Sequence, residues 1–361
     1  MSEKAILIVG GGPAGMEAAR GIADLGHRAI LIEKRPRLGG MPDEAGYAAL
    51  TPDFSSAADA MAGMAAAVEN DPNVDIRLNT TVAAVAGKVG DFEITLQNGQ
   101  GAEKVKAGAV IIATGFQHFD PGRETQQYGY YEFDDVITLV DLEKMLRVHK
   151  VVRPSNGQPP ERLCFIQCVG SRDRQIGNEY CSKVCCGVAT KEAIEVRQLL
   201  PNCQVFIFYI DMRMYGYWEN QIYWPAQEKY NVNFVKGIAT EIVKKGDRLL
   251  VRGEDTTMGR PMEVPMDIVV LSVGMEPSAG TRAMAQIFGL QSNKYKFIDT
   301  IGGALNTVTT SVEGVFACGA ATGPADLEDT ISSASAAAMK ALAAVQKASR
   351  APRAAEAPLP R

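Results

Sequence analysis

The residues most capable of chemistry are five cysteines between Cys164 and Cys186, out of seven in the chain. Four of them follow a distinctive spacing: twelve residues separate Cys168 from Cys181, three more precede Cys185, and Cys186 follows directly. Four thiols can hold an iron–sulfur cluster or a zinc ion, and two can form a redox disulfide. The spacing therefore predicts a metal centre or a redox disulfide.

The flanking sequence predicts the elements that position these cysteines. An apolar run over residues 163–169 is typical of a buried strand, and a helical pattern over residues 184–200 follows the cysteines. The cysteines thus lie on a strand-to-helix crossover, where an α/β sheet presents its ligand site. A disulfide between adjacent Cys185 and Cys186 would be strained. We favour an iron–sulfur cluster, with zinc and a redox disulfide as alternatives.

The remaining cysteines are predicted to be structural. Cys164 lies four residues before Cys168 on the same strand, where core packing is favoured over a place beside the metal ligands. Cys203 precedes another strand, and Cys318 lies within an apolar strand near the C-terminus. Packing is the expected role of both.

Composition excludes some classes of function. The chain has 361 residues and a formal net charge of −5, so no nucleic-acid footprint is expected. No run of 18 apolar residues predicts a membrane span. The sequence enters a strand without a signal peptide, which predicts a cytoplasmic protein. In that compartment clustered thiols favour metal binding or catalysis over a disulfide framework.

A dinucleotide-binding fingerprint stands near the N-terminus, between two apolar strands. Gly10 makes the tight turn, Gly12 lets the backbone approach a pyrophosphate, and Gly15 lets the following helix pack closely. Glu33 ends the second strand, where it is placed to accept hydrogen bonds from a ribose diol. Gly39 and Gly40, within residues 38–41, would let the backbone pass close to a flat ring.

Two later stretches return the chain to the same sheet. Ala113-Thr114-Gly115 follows one buried strand, and the sequence GVFACG at residues 314–319 forms another. A second α/β unit lies between them, so the first domain is predicted to be split. We predict a first domain of residues 1–125 and 285–348, a second of residues 126–284, and a flexible tail of residues 349–361.

These motifs resemble those of flavoproteins with two dinucleotide-binding domains, the class of thioredoxin reductase. The resemblance is closer to the A subunits of heterodisulfide reductase. It rests on these stretches: VVRPSNGQPPERLCFIQCVGSRD (151–173), YCSKVCC (180–186), FYIDMRMYG (208–216) and GVFACGAATGPADLEDTISSASAAA (314–338). It covers the whole chain except the tail, and it implies an α/β fold of two Rossmann-like domains, the second inserted in the first.

The resemblance also implies cofactors and partners. It implies FAD in the first domain and a 4Fe-4S cluster in the second, held by Cys168, Cys181, Cys185 and Cys186. It implies a homodimer that works with B-type and C-type disulfide-reductase subunits. The residues expected to contact FAD are Gly10, Gly12, Pro13, Ala14, Gly15, Glu33, Lys34, Gly39, Gly40, Met41, Val82, Ala113, Thr114, Gly115, Gly319, Ala320, Asp326 and Thr330.

Departures from the family pattern narrow the expected function. The chain lacks the extra segments of methanogenic members and resembles the short form found in sulfur-oxidising prokaryotes. Ala320 stands where thioredoxin-reductase-like proteins have Asp, and Ala325 stands where methanogenic members have Lys. Losing a cation beside the ring changes how well a reduced, anionic flavin is stabilised, which argues against electron bifurcation.

Two catalytic functions follow as expectations, beside a third reading as a mainly structural subunit that keeps a vestigial flavin fold. The first is an electron-transfer oxidoreductase subunit in which the flavin stores two electrons and the cluster relays them singly to partner subunits. The alternative is a stand-alone disulfide reductase that uses NADH or NADPH, with Cys181 and Cys185 as the redox pair.

Overall fold

The computed structural model describes residues 4–124 and 127–350. The predicted tail begins at Ser349, yet Ser349 and Arg350 still belong to the last helix. The rest of the tail, residues 351–361, lies outside the described residues.

Strands and helices alternate along most of the chain. In chain order the elements are β1 (Ile6–Val9), α1 (Pro13–Asp24), β2 (Ala29–Ile32), α2 (Gly40–Ala45), α3 (Ala57–Glu69), β3 (Val74–Arg77), β4 (Thr81–Lys88), β5 (Asp91–Asn98), β6 (Gly101–Ala107), β7 (Ala109–Ile112), β8 (Phe116–His118), α4 (Pro121–Glu124), β9 (Val136–Thr138), α5 (Leu139–Arg147), β10 (Arg162–Val169), α6 (Cys185–Leu199), β11 (Gln204–Tyr209), α7 (Trp224–Glu228), β12 (Asn233–Lys245), β13 (Arg248–Asp255), β14 (Arg260–Met266), β15 (Ile268–Val273), β16 (Met275–Pro277), α8 (Ala279–Ile287), β17 (Val315–Ala317) and α9 (Leu327–Arg350).

The first sheet is parallel, with the spatial order β17-β7-β1-β2-β3. Its strands come from both ends of the chain, because β17 pairs with β7 across the intervening second unit. Helices α1, α3 and α9 cover one face, and the β4–β6 meander with α8 covers the other. Strands buried on both faces explain the continuous apolar runs seen in the sequence.

The second sheet is built around β10, with the order β14-β13-β12-β11-β10-β15-β9. Strands β9 to β12 and β15 pair in parallel, and β13 and β14 extend the sheet as antiparallel strands. Helices α5 and α6 pack on one face. Strands β8 and β16 pair with each other where the chain passes between the two units. The predicted α/β fold of two units, one inserted in the other, is confirmed.

Within the part of the chain that the structure describes, no helix is both long and apolar enough to cross a membrane.

Candidate functional site

A cavity of about 510 Å³ is lined by residues of both units. Gly10 and Gly12 reach it from the β1–α1 crossover of the first unit, and Cys185 and Glu192 reach it from helix α6 of the second. The cavity thus joins the glycine fingerprint to the cysteine motif, two features that are far apart in the sequence.

Most of the residues predicted to contact FAD line this cavity. They are Gly10, Gly12, Pro13, Ala14, Glu33, Lys34, Gly40, Met41, Val82, Ala113, Thr114, Gly115, Ala320, Asp326 and Thr330. Gly15, Gly39 and Gly319 do not line it. Gly15 acts through packing, since a Cβ there would lie 1.7 Å from the Gly10 carbonyl oxygen.

The β1–α1 crossover forms an open cradle of backbone groups. Gly10 has φ +113°, and a Cβ there would lie 2.5 Å from the carbonyl oxygen of Ala113. Helix α1 starts at Pro13, and no side chain caps its N-terminus at Gly12. The first-turn N–H groups are therefore available to a ligand, and the helix dipole favours an anion there. This geometry suits a pyrophosphate.

Glu33 has a role that the sequence did not predict. Its buried carboxylate accepts hydrogen bonds from the backbone N–H of Gly11 at 2.7 Å and of Arg35 at 2.8 Å. These bonds fix the glycine turn against the loop that follows β2. Each carboxylate oxygen keeps a further lone pair, so the predicted contact with a ribose diol stays a prediction.

Asp326 also has an additional partner. Its carboxylate lies 3.2 Å from the ammonium of Lys183, which also pairs with Asp329. Lys183 belongs to the loop between β10 and α6, residues 170–184, which we call the cysteine loop. Asp326 belongs to the loop before α9. This bridge ties the cysteine loop to the first unit, a contact that no local sequence pattern signals.

Cys168 lies at the end of β10, where the strand departs from regular geometry. Its φ is +65°, and the pairing of β10 with β15 shifts register between Ile166 and Val169. A non-glycine residue in this left-handed region costs about 1–2 kcal/mol. The turn brings the Cys168 sulfur to the N-terminus of α6, where the Cys185 thiol is within hydrogen-bonding reach of the sulfurs of both Cys168 and Cys186.

The fourth predicted ligand does not join this group. The Cys181 sulfur accepts a hydrogen bond from the N–H of Lys183 at 3.3 Å, and no recorded contact links it to the other three thiols. Among residues 4–124 and 127–350, no three His, Cys, Asp or Glu side chains converge around a point that would hold a metal ion. The structure thus brings Cys185 close to both Cys168 and Cys186 and leaves Cys181 apart.

The surroundings favour negative charge on two of these sulfurs. The hydrogen bond from Cys185 and the charges of Arg172 and Arg213 lower the pKa of Cys168 to about 7. The Cys185 thiol and the backbone N–H of Arg213 likewise lower the pKa of Cys186. Two guanidinium groups beside the thiols would compensate the charge of an anionic cluster, so this part of the donor set fits the predicted group.

The other three cysteines are buried in the cores, as predicted. Cys164, Cys203 and Cys318 each pack among apolar side chains. Burial raises the pKa of Cys203 and of Cys318 to about 12 and raises that of Cys164 further. These thiols stay protonated and are suited to packing.

A buried group of charged residues has no counterpart among the sequence predictions. Lys191, on α6, is fully buried and pairs with Glu143 of α5 at 2.5 Å and with Glu195 at 2.9 Å. Glu192 is also fully buried and lines the cavity together with Glu143. Charged residues on a helix normally indicate a solvated face, and only the spacing of Lys191 and Glu195, one turn apart, signals a pair.

Comparison with known proteins relates this architecture to a family. A family model described as pyridine nucleotide-disulphide oxidoreductase matches residues 4–341. Over 93% of its length, the chain is 31% identical to the iron-sulfur A subunit of the CoB–CoM heterodisulfide reductase of Methanocaldococcus jannaschii. Over the same share, it is 30% identical to the A subunit of the H2:CoB-CoM heterodisulfide, ferredoxin reductase of Methanothermobacter marburgensis. The matches span 63% of each relative.

Solved structures give the same fold. Thioredoxin reductase of T. acidophilum superposes with a TM-score of 0.63 over 96% of this chain and 99% of its own, at 20% identity. The Lactococcus lactis enzyme superposes with a TM-score of 0.64 over 96% of this chain and 100% of its own, at 18% identity. These matches confirm the thioredoxin-reductase-like fold.

The resemblance to heterodisulfide reductase A subunits is confirmed as a similarity over nearly the whole chain. Flavin binding is supported by the family and by the cradle at the β1–α1 crossover. The chain belongs to the pyridine nucleotide-disulphide oxidoreductase family and is an oxidoreductase.

Proposed function

We propose that this chain is an electron-transfer subunit that binds FAD and a 4Fe-4S cluster and works in a heterodisulfide-reductase-like complex of sulfur oxidation. The observation that carries the proposal is the shared cavity, because the glycine fingerprint and Cys185 line the same space. A flavin and a cluster bound there would exchange electrons over a short path.

The first unit supplies the groups that would hold FAD. The free N–H groups of α1 would bind the pyrophosphate, and Glu33 would accept a hydrogen bond from the ribose. The loop glycines allow close approach of a planar ring, since a Cβ on Gly40 would lie 2.6 Å from the Cα of Gly12. When bound, the flavin supplies two-electron storage.

The second unit supplies the cluster ligands. Cys185 lies close to Cys168 and to Cys186, and Cys181 would complete the set of four thiolates that a 4Fe-4S cluster requires. Arg172 and the backbone N–H of Arg213 would balance and orient the sulfurs. The cluster supplies single-electron transfer when bound.

The partners follow from the relatives. The two relatives are named as A subunits, and this chain spans 63% of their length. We propose that it pairs with a second copy and with B-type and C-type subunits, on which disulfide or sulfane-sulfur chemistry takes place.

One observation favours the alternative, a stand-alone disulfide reductase. The predicted redox pair, Cys181 and Cys185, is not brought together, but Cys185 lies close to Cys168, whose pKa is lowered to about 7, as in redox-active thiols. The second crossover, however, offers a poor place for NADH or NADPH. Gly170 faces the ring of Phe119, which an added Cβ would meet at 2.1 Å, so this glycine accommodates an aromatic ring and not a phosphate.

The test is cofactor analysis of the anaerobically prepared chain. We expect one FAD and about four irons with four sulfides per chain, and a cluster signal in electron paramagnetic resonance on reduction. Cys186→Ala should lower the iron content and keep the FAD. Cys203→Ala, which removes a buried core thiol, should keep both. Fewer than about two irons per chain would overturn the proposal, and rapid flavin bleaching by NADH with disulfide turnover would establish the alternative.

A further inference from the structure

The inference concerns Glu192 and rests on the proposed function. Glu192 is fully buried, and both its carboxyl oxygens are enclosed without a hydrogen-bond donor among the described residues. It nevertheless borders the cavity. A buried ionised carboxylate without a donor is costly, whereas a neutral acid can donate a hydrogen bond of its own.

The neighbours of Glu192 favour the neutral acid. Glu143, from α5, also lines the cavity and can accept a proton shared by Glu192. Lys191 and Glu195 lie on the same helix as Glu192, and they form the ion pairs described above. Three carboxylates would face one ammonium, so a single proton on Glu192 removes much of the excess negative charge.

The titratable groups that approach Glu143 and Glu192 from the first unit are neutral. Tyr47 packs near Glu192, and its hydroxyl lies 2.8 Å from Nε2 of His118. Burial lowers the pKa of His118 to about 4, and burial together with the charges of Glu143 and Glu192 raises the pKa of Tyr47. Lys191 forms ion pairs with Glu143 and Glu195, and His149 lies near Glu195.

We propose that Glu192 is a neutral carboxylic acid in the oxidised protein and that it donates its proton when electrons enter the cavity. Two electrons, delivered singly by an iron–sulfur carrier, reach the bound ring system, and the Glu192 O–H bond breaks as the ring takes up the proton. The Glu192 carboxylate that remains is attracted by the Lys191 ammonium. Reoxidation returns the two electrons to the carrier and the proton to Glu192, so electrons and protons balance in both directions.

The geometry also provides a path for exchange with solvent. The Glu195 side chain is 16% exposed, and Lys191 joins it to Glu143 through ion pairs of 2.9 and 2.5 Å. A proton that enters at Glu195 can therefore reach the carboxyl pair of Glu143 and Glu192 through groups in contact. Burial and the charge of Glu143 raise the pKa of Glu192 well above its usual value, consistent with this role.

The test is infrared difference spectroscopy of the flavin-loaded chain, oxidised and then reduced with dithionite. We expect wild-type protein to lose the C=O stretch of a protonated carboxylic acid on reduction. Glu192→Gln should lack this band, Glu192→Asp should shift it, and Glu228→Gln, at an exposed helix position, should leave it unchanged. A band that is absent from the oxidised protein, or one that persists on reduction, overturns the proposal.

A second measurement does not depend on the flavin. Because the folded-state pKa of Glu192 lies above its unfolded value of about 4.3, unfolding releases a proton at neutral pH. Wild-type stability should therefore fall relative to Glu192→Gln as pH rises from mildly acidic to mildly alkaline. Equal Tm differences across that range would contradict a neutral Glu192. If no flavin binds but this trend is present, the proposed function fails while the protonation state stands.

Discussion

The two strand-to-helix crossovers of this molecule share a topology and differ in chemistry. In the first, a short glycine turn joins β1 to α1 and leaves the helix N-terminus open. In the second, residues 170–184 form a long loop between β10 and α6, and the helix begins with two buried cysteines. Neither helix has a side-chain cap, so both termini present backbone N–H groups.

The difference lies in what occupies the space in front of each helix. At the first crossover Gly10 and Gly12 leave room that belongs to the cavity. At the second, the ring of Phe119 lies against Gly170, and the Cys185 thiol lies close to those of Cys168 and Cys186 at the helix end. The same fold can therefore present backbone amides to a phosphate or thiolates to a metal, depending on which side chains fill the turn.

Gly15→Ala is the substitution with the largest expected effect on the first crossover. The added Cβ would lie 1.7 Å from the Gly10 carbonyl oxygen, so strand and helix must separate. We expect a destabilisation at or above the upper end of overpacking penalties, about 3 kcal/mol, together with loss of FAD. Urea unfolding and the FAD content of the purified protein measure both effects.

The control for this variant is Gly63→Ala. Gly63 is a helical glycine of α3, exposed, with no heavy atom within 4 Å of its added Cβ. The Gly63→Ala substitution should stabilise the protein by up to about 1 kcal/mol, because alanine has the higher helix propensity, and it should leave FAD binding unchanged. Normal FAD content in Gly15→Ala would show that close packing of α1 on β1 is dispensable.

The second crossover is tested most sharply at Cys181, the predicted ligand that the structure leaves apart. If all four cysteines bind the cluster, Cys181→Ser should lower the iron content from about four to about three per chain, because one iron loses its thiolate. The FAD content should be unchanged, since Cys181 does not line the cavity. Iron analysis and electron paramagnetic resonance make the measurement. An unchanged four-iron signal would place the fourth ligand elsewhere.

The sequence predicts the first crossover better than the second for a physical reason. In the fingerprint, Gly15 packs against the carbonyl oxygen of Gly10, only five residues earlier, so spacing alone identifies the turn and its ligand class. At the second crossover, Cys168 adopts φ +65°, a conformation that composition does not signal for a cysteine. The sequence thus predicts the thiol set and cannot predict which thiols meet in the folded chain.

Long-range contacts explain why the sequence did not predict the burial of Lys191 or strands β9 and β14. The pattern near Lys191 is typical of an exposed helix, and its burial depends on Glu143, 48 residues earlier in the chain. Strand β9 has only three residues, so it falls below the signal that apolar periodicity gives. Strand β14 has two prolines and only two polar residues, so its weak strand signal comes from proline. Long-range pairing stabilises these elements, and local propensity does not reveal it.

The smallest expected effect is at Lys183, which bridges the two regions through Asp326 and Asp329. Its side chain is 29% exposed, so solvent screens the pair and Lys183→Met should cost at most about 1 kcal/mol of stability, less at high salt. Its specific effect should be on the cysteine loop. Hydrogen exchange of residues 170–184 should accelerate, because the bridge restrains that loop against the first unit.

The matched control is Lys104→Met, which removes an exposed ion pair with Glu93 inside the β4–β6 meander. It should cost a similar amount of stability and leave exchange in the cysteine loop unchanged. If both variants accelerate exchange there equally, the effect is a general loss of stability. If only Lys183→Met does so, the bridge restrains the cysteine loop against the first unit, and the two crossovers act as one site.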